Sequence, residues 1–192
     1  DSILHKESHS KSKGFGRSSS EESVAYATRN VASNIIGDKV NITSGKDVSL
    51  LGSNVQANES GKIEARGNIT QAGVKDINYH YEHTSKSRFG GLISKSTTSE
   101  NYQENAIVSA TVAGDKGLTY DSKNNLILSG VKVVSSGSID LKGKNVEINP
   151  LETKSYSKFE EKKKGFSAKV SLKGVNYSYG KDKFSDNSST II

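Results

Sequence analysis

The chain has no cysteine, methionine or tryptophan and a single proline, and its 32% hydrophobic fraction is low for one compact globule of 192 residues. Each absence excludes something. Without cysteine there is no disulfide framework, no thiol nucleophile and no cysteine-based metal site. No apolar run approaches the ~20 residues that a membrane-spanning helix requires. The opening residues, DSILHKESHSKSKG, lack the apolar stretch of a signal peptide, so any export signal is expected outside this sequence. Nucleophile elbow, phosphate loop, HExxH, CxxC and the calcium repeat GGxGxD are all missing, which leaves catalysis without a motif.

What is present is alternation. Residues 37–73, GDKVNITSGKDVSLLGSNVQANESGKIEARGNITQAG, consist of short runs with apolar residues at every second position. Gly, Asn, Asp and Ser separate the runs, which is the pattern of short strands and tight turns. A step of 21 residues carries Val48 and Ser49 onto Ile69 and Thr70, and Ile42 onto Ile63. A strand-and-turn unit recurring about every 20 residues predicts one rung of a parallel β-solenoid. Such a rod needs only a thin inner stripe of Val, Ile, Leu and Ala, because each rung touches only its neighbours. Rungs of 20–21 residues are expected to set Asp47 over Asn68, Asp121 over Leu141 and Asp140 beside Tyr120.

A longer period of about 76 residues overlies the first. Ser53, Val55, Gly61, Ile63, Ala65 and Gly67 recur as Ser129, Val131, Gly137, Ile139, Leu141 and Gly143. Lys164-Gly165-Phe166 answers Lys13-Gly14-Phe15 and opens a third copy, so the sequence reads as one solenoid fragment (1–192) of a longer protein. Rungs are expected over 31–77 and 107–151. Hairpin excursions are expected over 5–28, 78–101 and 153–184, the first two turning at Gly14-Phe15-Gly16 and Phe89-Gly90-Gly91. In the second, Tyr79, Tyr81 and His83 share one face.

The net charge of +6 favours anionic partners over long range. Most Lys and Arg are interspersed with Glu and Asp, which reads as a solvated surface. The concentrated exceptions lie in the hairpins. Candidate partner contacts are Lys86, Arg88 and Phe89 in the second, and Lys162, Lys163, Lys164, Phe166, Lys169 and Lys173 in the third. The chemistry there suits cell-surface polysaccharide or lipopolysaccharide. Nucleic acid is not expected: tyrosines and cations interleave over 162–179, but no recognition motif accompanies them and Glu160 and Glu161 adjoin. His80 and His83 fall on opposite strand faces, and His5 and His9 have only Glu7 beside them, so no metal site or cofactor is expected. Polysaccharide-cleaving β-helix enzymes are the rival class. They need carboxylates gathered on neighbouring rungs, and none stack here.

The tips K-S-K-G-F-G and S-K-S-R-F-G-G, with rungs such as VNITSGKDVSLLGSNVQA and GSIDLKGKNVEI, resemble haemagglutinin repeats. Such repeats occur in filamentous-haemagglutinin-like exoproteins of two-partner secretion, including effectors of contact-dependent growth inhibition. The resemblance covers essentially the whole chain. It implies an all-β fold, a right-handed parallel β-helix with extra-helical β-hairpins, in a filament on the bacterial outer-membrane surface. It also implies an outer-membrane secretion partner, and a role in adhesion or in toxin delivery to neighbouring cells. The expected function is therefore a non-enzymatic shaft segment. The alternative is an adhesive module that binds polysaccharide or protein through its basic hairpins. Open rung edges are expected to promote self-association.

Overall fold

The computed structural model describes residues 2–171 and 174–191, with side chains through Gly165. The chain opens on two long strands, β1 (Ser2–Gly14) and β2 (Arg17–Arg29). Next come β3 (Asn34–Ser44), β4 (Val48–Leu51), β5 (Asn54–Ala65) and β6 (Ile69–Ala72). The strands β7 (Val74–Arg88) and β8 (Ile93–Ile107) flank a 3-10 turn at Phe89–Gly91. Six short strands follow: β9 (Ser109–Ala113), β10 (Leu118–Ser122), β11 (Asn125–Ser129), β12 (Val131–Ser135), β13 (Ile139–Lys142) and β14 (Asn145–Asn149). The last two are β15 (Lys154–Ser171) and β16 (Gly174–Ile191). The fold is all-β, and its strands divide between two compact units.

The first unit comprises chiefly residues 29–76 and 105–153, and the ladders among its described residues are parallel. One ladder runs Val40, Gly61, Leu118, Ile139; a second runs Val48, Ile69, Leu126, Val146. The third stacks the front of β3 on β5, β5 on β9, and β9 on β12. The chain leaves after β6 and returns at β9, yet all three ladders continue across the gap without a change of direction. Polar side chains repeat the stacking at the turns: Asn54 Nδ2 donates to Asn34 Oδ1 at 3.0 Å, Asn58 to Asp38 at 2.9 Å, and Asn145 to Asn125 at 2.9 Å. Turn packing is close enough to exclude a side chain at Gly114, where a Cβ would lie 2.0 Å from the Asn58 carbonyl oxygen.

Stacking of Ile42 on Ile63 and of Asp47 over Asn68 follows the sequence spacing, and Asp47 Oδ1 accepts the Asn68 N–H at 2.6 Å. Two expected neighbours are displaced by one residue. Asp121 pairs with Lys142 rather than Leu141, and Asp140 pairs with Thr119 rather than lying beside Tyr120. The cause is that the chain runs from Lys142 to Asn145 in one residue fewer than from Asp121 to Asn125, β13 ending one position before β10 does. The first pair of strands is therefore offset by 21 residues (Leu118 to Ile139) and the second by 20 (Leu126 to Val146).

Ile63, Ala65, Ile69, Leu118, Tyr120 and Leu126 fill the middle of the stack and are buried. Ile139, Val146 and Ile148 occupy the corresponding places on β13 and β14 but are exposed, because the described residues stack on only one side of these strands. The core is not wholly apolar. Gln71 lies between Leu50 and Leu128 in the ladder, fully buried. Its Oε1 accepts from the Tyr120 hydroxyl at 2.5 Å and the Thr111 hydroxyl at 3.1 Å, and its Nε2 donates to Ser109 Oγ at 3.0 Å. Ser109 Oγ passes the chain on to the Ser53 carbonyl at 2.6 Å.

Burial pushes the Tyr120 phenol up to about 12 from its ordinary 10.0. A folded-state value above the unfolded one confers stability that is fully present below about pH 10 and lost as pH rises towards 12. An alkaline unfolding series should show that loss, and Tyr120→Phe should make it shallower. An equal slope in the variant would mean that the hydroxyl is not held in the core.

The second unit comprises residues 3–28, 77–104 and from 154 onward, arranged as a six-stranded sheet in the order β1-β2-β7-β8-β15-β16. Three hairpins lie edge to edge. β2 pairs antiparallel with β7 from Arg17 opposite Arg88 to Thr28 opposite Ile77, and β15 pairs likewise with β8. Between β7 and β8, the Thr84 and Thr97 hydroxyls bond at 2.6 Å and His83 Nδ1 meets Thr98 Oγ1 at 2.8 Å. The hairpins thus join one another through backbone ladders. The ladder of the third hairpin continues to Ser171 opposite Gly174 and runs back to Ile191, past the expected limit at 184.

Candidate functional site

Cross-strand partners in an antiparallel sheet share a face, as do residues two apart along a strand. Arg88 therefore lies on one face with Arg17 opposite it and Lys86 two residues back, Lys86 itself facing Ser19. The Thr84–Thr97 hydrogen bond carries that face across to β8, which places Lys95 on it, and Lys163 stands directly opposite Lys95. Five cations from three hairpins thus converge near the first two tips. Lys95 Nζ reaches Glu161 at 2.8 Å, and Lys163 forms a closer ion pair with the same carboxylate. Hydrogen bonds from Lys163 and then Lys95 hold the Glu161 carboxyl below its ordinary range. Arg17, Lys86 and Arg88 have no carboxylate partner among the described residues, although Glu21 lies on the same face one row back, opposite Thr84. With Ser12, Lys13, Ser18 and Ser87, these three line an open concavity of about 350 Å³.

The other sequence candidates disperse. Lys162 and Lys164 stand on the opposite face, across from Ser96 and Ser94, and Lys162 pairs with Glu160 at 2.8 Å. Phe166 and Lys169 are in β15 opposite Tyr179 and Asn176, but their side chains, and Lys173 altogether, lie outside the described residues. Phe89 sits in the second turn, 68% exposed, with φ +51. That left-handed conformation is strained for a bulky residue. Its neighbours Leu92 and Ile93 are exposed, and Phe15 at the first turn is fully so.

The aromatic residues of the opposite face mainly hold hairpins together. Tyr102 and Tyr156 stack with ring centres 5.3 Å apart, and Lys158 Nζ lies 4.7 Å over the Tyr156 ring. Glu100 accepts the Tyr156 hydroxyl at 2.9 Å and Lys158 at 3.4 Å. Tyr102 donates to Glu104 at 2.7 Å, and that bond is the main cause that pushes its phenol up to about 12. His9 bonds Glu7 at 2.7 Å with His5 3.9 Å from it, and no metal-binding group of three or more ligands occurs among the described residues.

Searches of curated proteins and of solved structures returned no match. The profile of the hemagglutinin repeat matches twice, over residues 6–88 and 89–191. With nearly the whole sequence accounted for by two successive matches, the chain belongs to the hemagglutinin repeat family.

Proposed function

We propose that the chain is a non-enzymatic shaft segment of a large secreted exoprotein on the bacterial outer-membrane surface, used in cell contact, adhesion or toxin delivery to neighbouring cells. Its parallel ladders are the rungs of a right-handed parallel β-helix. Each long unit of about 76 residues supplies two rungs, over 31–77 and 107–151, and one hairpin excursion. Export then requires an outer-membrane secretion partner, as in two-partner systems. The observation that carries this reading is the continuity of three ladders across a 28-residue excursion (77–104). A chain that leaves and resumes in register is built to extend along one axis.

Length tests this directly. Rungs stack about 4.8 Å apart, so each added unit of two rungs should lengthen the particle by about 10 Å without widening it. Small-angle scattering of chains carrying one, two and three further units reads this. Growth in all dimensions would sink the shaft reading.

A further inference from the structure

We infer that the level tips of the first two hairpins dock on an anionic lipid surface, with Phe15, Phe89 and Leu92 entering the headgroup region and Arg17, Lys86 and Arg88 binding lipid phosphates. This goes beyond the shaft reading and stands without it, because it concerns the antiparallel sheet alone.

Three independent features converge on it. First, the Arg17–Arg88 register is the last step of its ladder, so the turns Phe15-Gly16 and Phe89–Gly91 lie side by side. Their apolar side chains face outward together: Phe15 fully exposed, Phe89 68%, Leu92 62% and Ile93 38%. Turns of this kind are met by Gly, Asn, Asp or Ser, so nothing in the geometry calls for phenylalanine. A large apolar group left in water at two adjacent turns marks a contact surface. Second, Phe89 holds a left-handed φ of +51 that glycine would adopt freely, so the ring is kept at a position where it strains the backbone. Third, like charges directly opposite one another weaken a sheet, yet Arg17 faces Arg88 beside these tips with no carboxylate partner for either among the described residues. An external anion removes that penalty.

The combination selects the partner. A soluble polyanion would engage the cations and leave the phenylalanines without a role. A protein groove would receive aromatic anchors but offers no reason for unpaired cations on two adjacent strands. A bilayer surface takes both: convex apolar tips enter the interface, while Lys and Arg stems lie along it with their charges at the phosphates.

The test is flotation of the 192-residue chain with vesicles of phosphatidylcholine, with and without phosphatidylglycerol, at low and high salt. Binding is expected only with phosphatidylglycerol and should weaken as salt rises. Two paired variants, Phe15→Ser with Phe89→Gly and Arg17→Glu with Arg88→Glu, should each reduce binding by about tenfold or more. Phe89→Gly suits the native backbone, so an unchanged circular dichroism melt keeps the phenylalanine pair interpretable even if the charge pair misfolds. The inference is overturned if the phenylalanine pair floats like the parent. It is equally overturned if vesicles without anionic lipid bind as well, or if the parent fails to float yet binds dextran sulfate. That last outcome would assign the cations to a soluble polyanion.

Discussion

Ile63→Asp is expected to destabilise the parallel unit by at least about 4 kcal/mol, while Ile139→Asp costs only about 1–2 kcal/mol. The two residues occupy matching places in the long repeat, so sequence alone gives them equal weight. Their surroundings differ. Ile63 has Ile42 stacked on one side and Tyr120 on the other and is 0% exposed, so an aspartate there is sealed away from water with no cation to meet it. Among the described residues Ile139 pairs only with Leu118, and it is 41% exposed, so an introduced carboxylate can turn to solvent. Urea unfolding followed by far-ultraviolet circular dichroism measures both. Equal midpoints for the two variants would show that Ile63 does not lie between Ile42 and Tyr120 in the interior of the stack.

Gln71→Ala should be nearly as damaging, at about 3–5 kcal/mol, although a surface glutamine replaced by alanine costs almost nothing. The Tyr120 and Thr111 hydroxyls both donate to its Oε1, and both are buried. Truncation strands them and opens a cavity between Leu50 and Leu128. Gln71→Leu fills the space and matches those two neighbours but still leaves both hydroxyls without an acceptor, which holds the loss at about 2–4 kcal/mol. Combining Gln71→Leu with Tyr120→Phe and Thr111→Val removes every stranded donor except the Ser109 hydroxyl, which keeps the Ser53 carbonyl. Most of the stability should return. If the triple variant is no better than Gln71→Leu, the hydroxyls do not depend on Gln71.

Local pattern carried the all-β class and the strand–turn grammar, because period-two alternation and turn residues act over only a few positions. Stacking of Ile42 on Ile63 was legible for the same reason: the intervening turns have equal lengths in the two rungs. Asp121 and Asp140 were misplaced because β13 is a residue shorter than β10 and a single offset cannot serve two ladders. Gln71 was opaque. Alternation puts Gln71 on the face of Ile69, but nothing local gives a glutamine a partner there until Tyr120 and Thr111, far along the chain, are known to aim at it. The tip cluster was half visible. Lys86, Arg88 and Phe89 stand out in sequence, but Arg17 and Lys95 join them only through pairings between separate hairpins. Phe15 was named as part of a turn without any sign that its ring would be left bare.

The order in which strands acquire partners has a kinetic consequence. β5 stacks on β3, β6 on β4, β7 on β2, β9 and β10 on β5, β11 on β6, and β15 on β8. In each case the partner lies earlier in the chain, so an emerging strand meets an edge that already exists. Long-range β pairing is ordinarily slow because loops must close before any contact rewards them. Here every closure after the first in each ladder adds one strand to an existing edge. Once β3 and β4 have met β5 and β6, the parallel unit can therefore assemble as a chain-growth polymerisation does, each later strand joining an edge that is already in place.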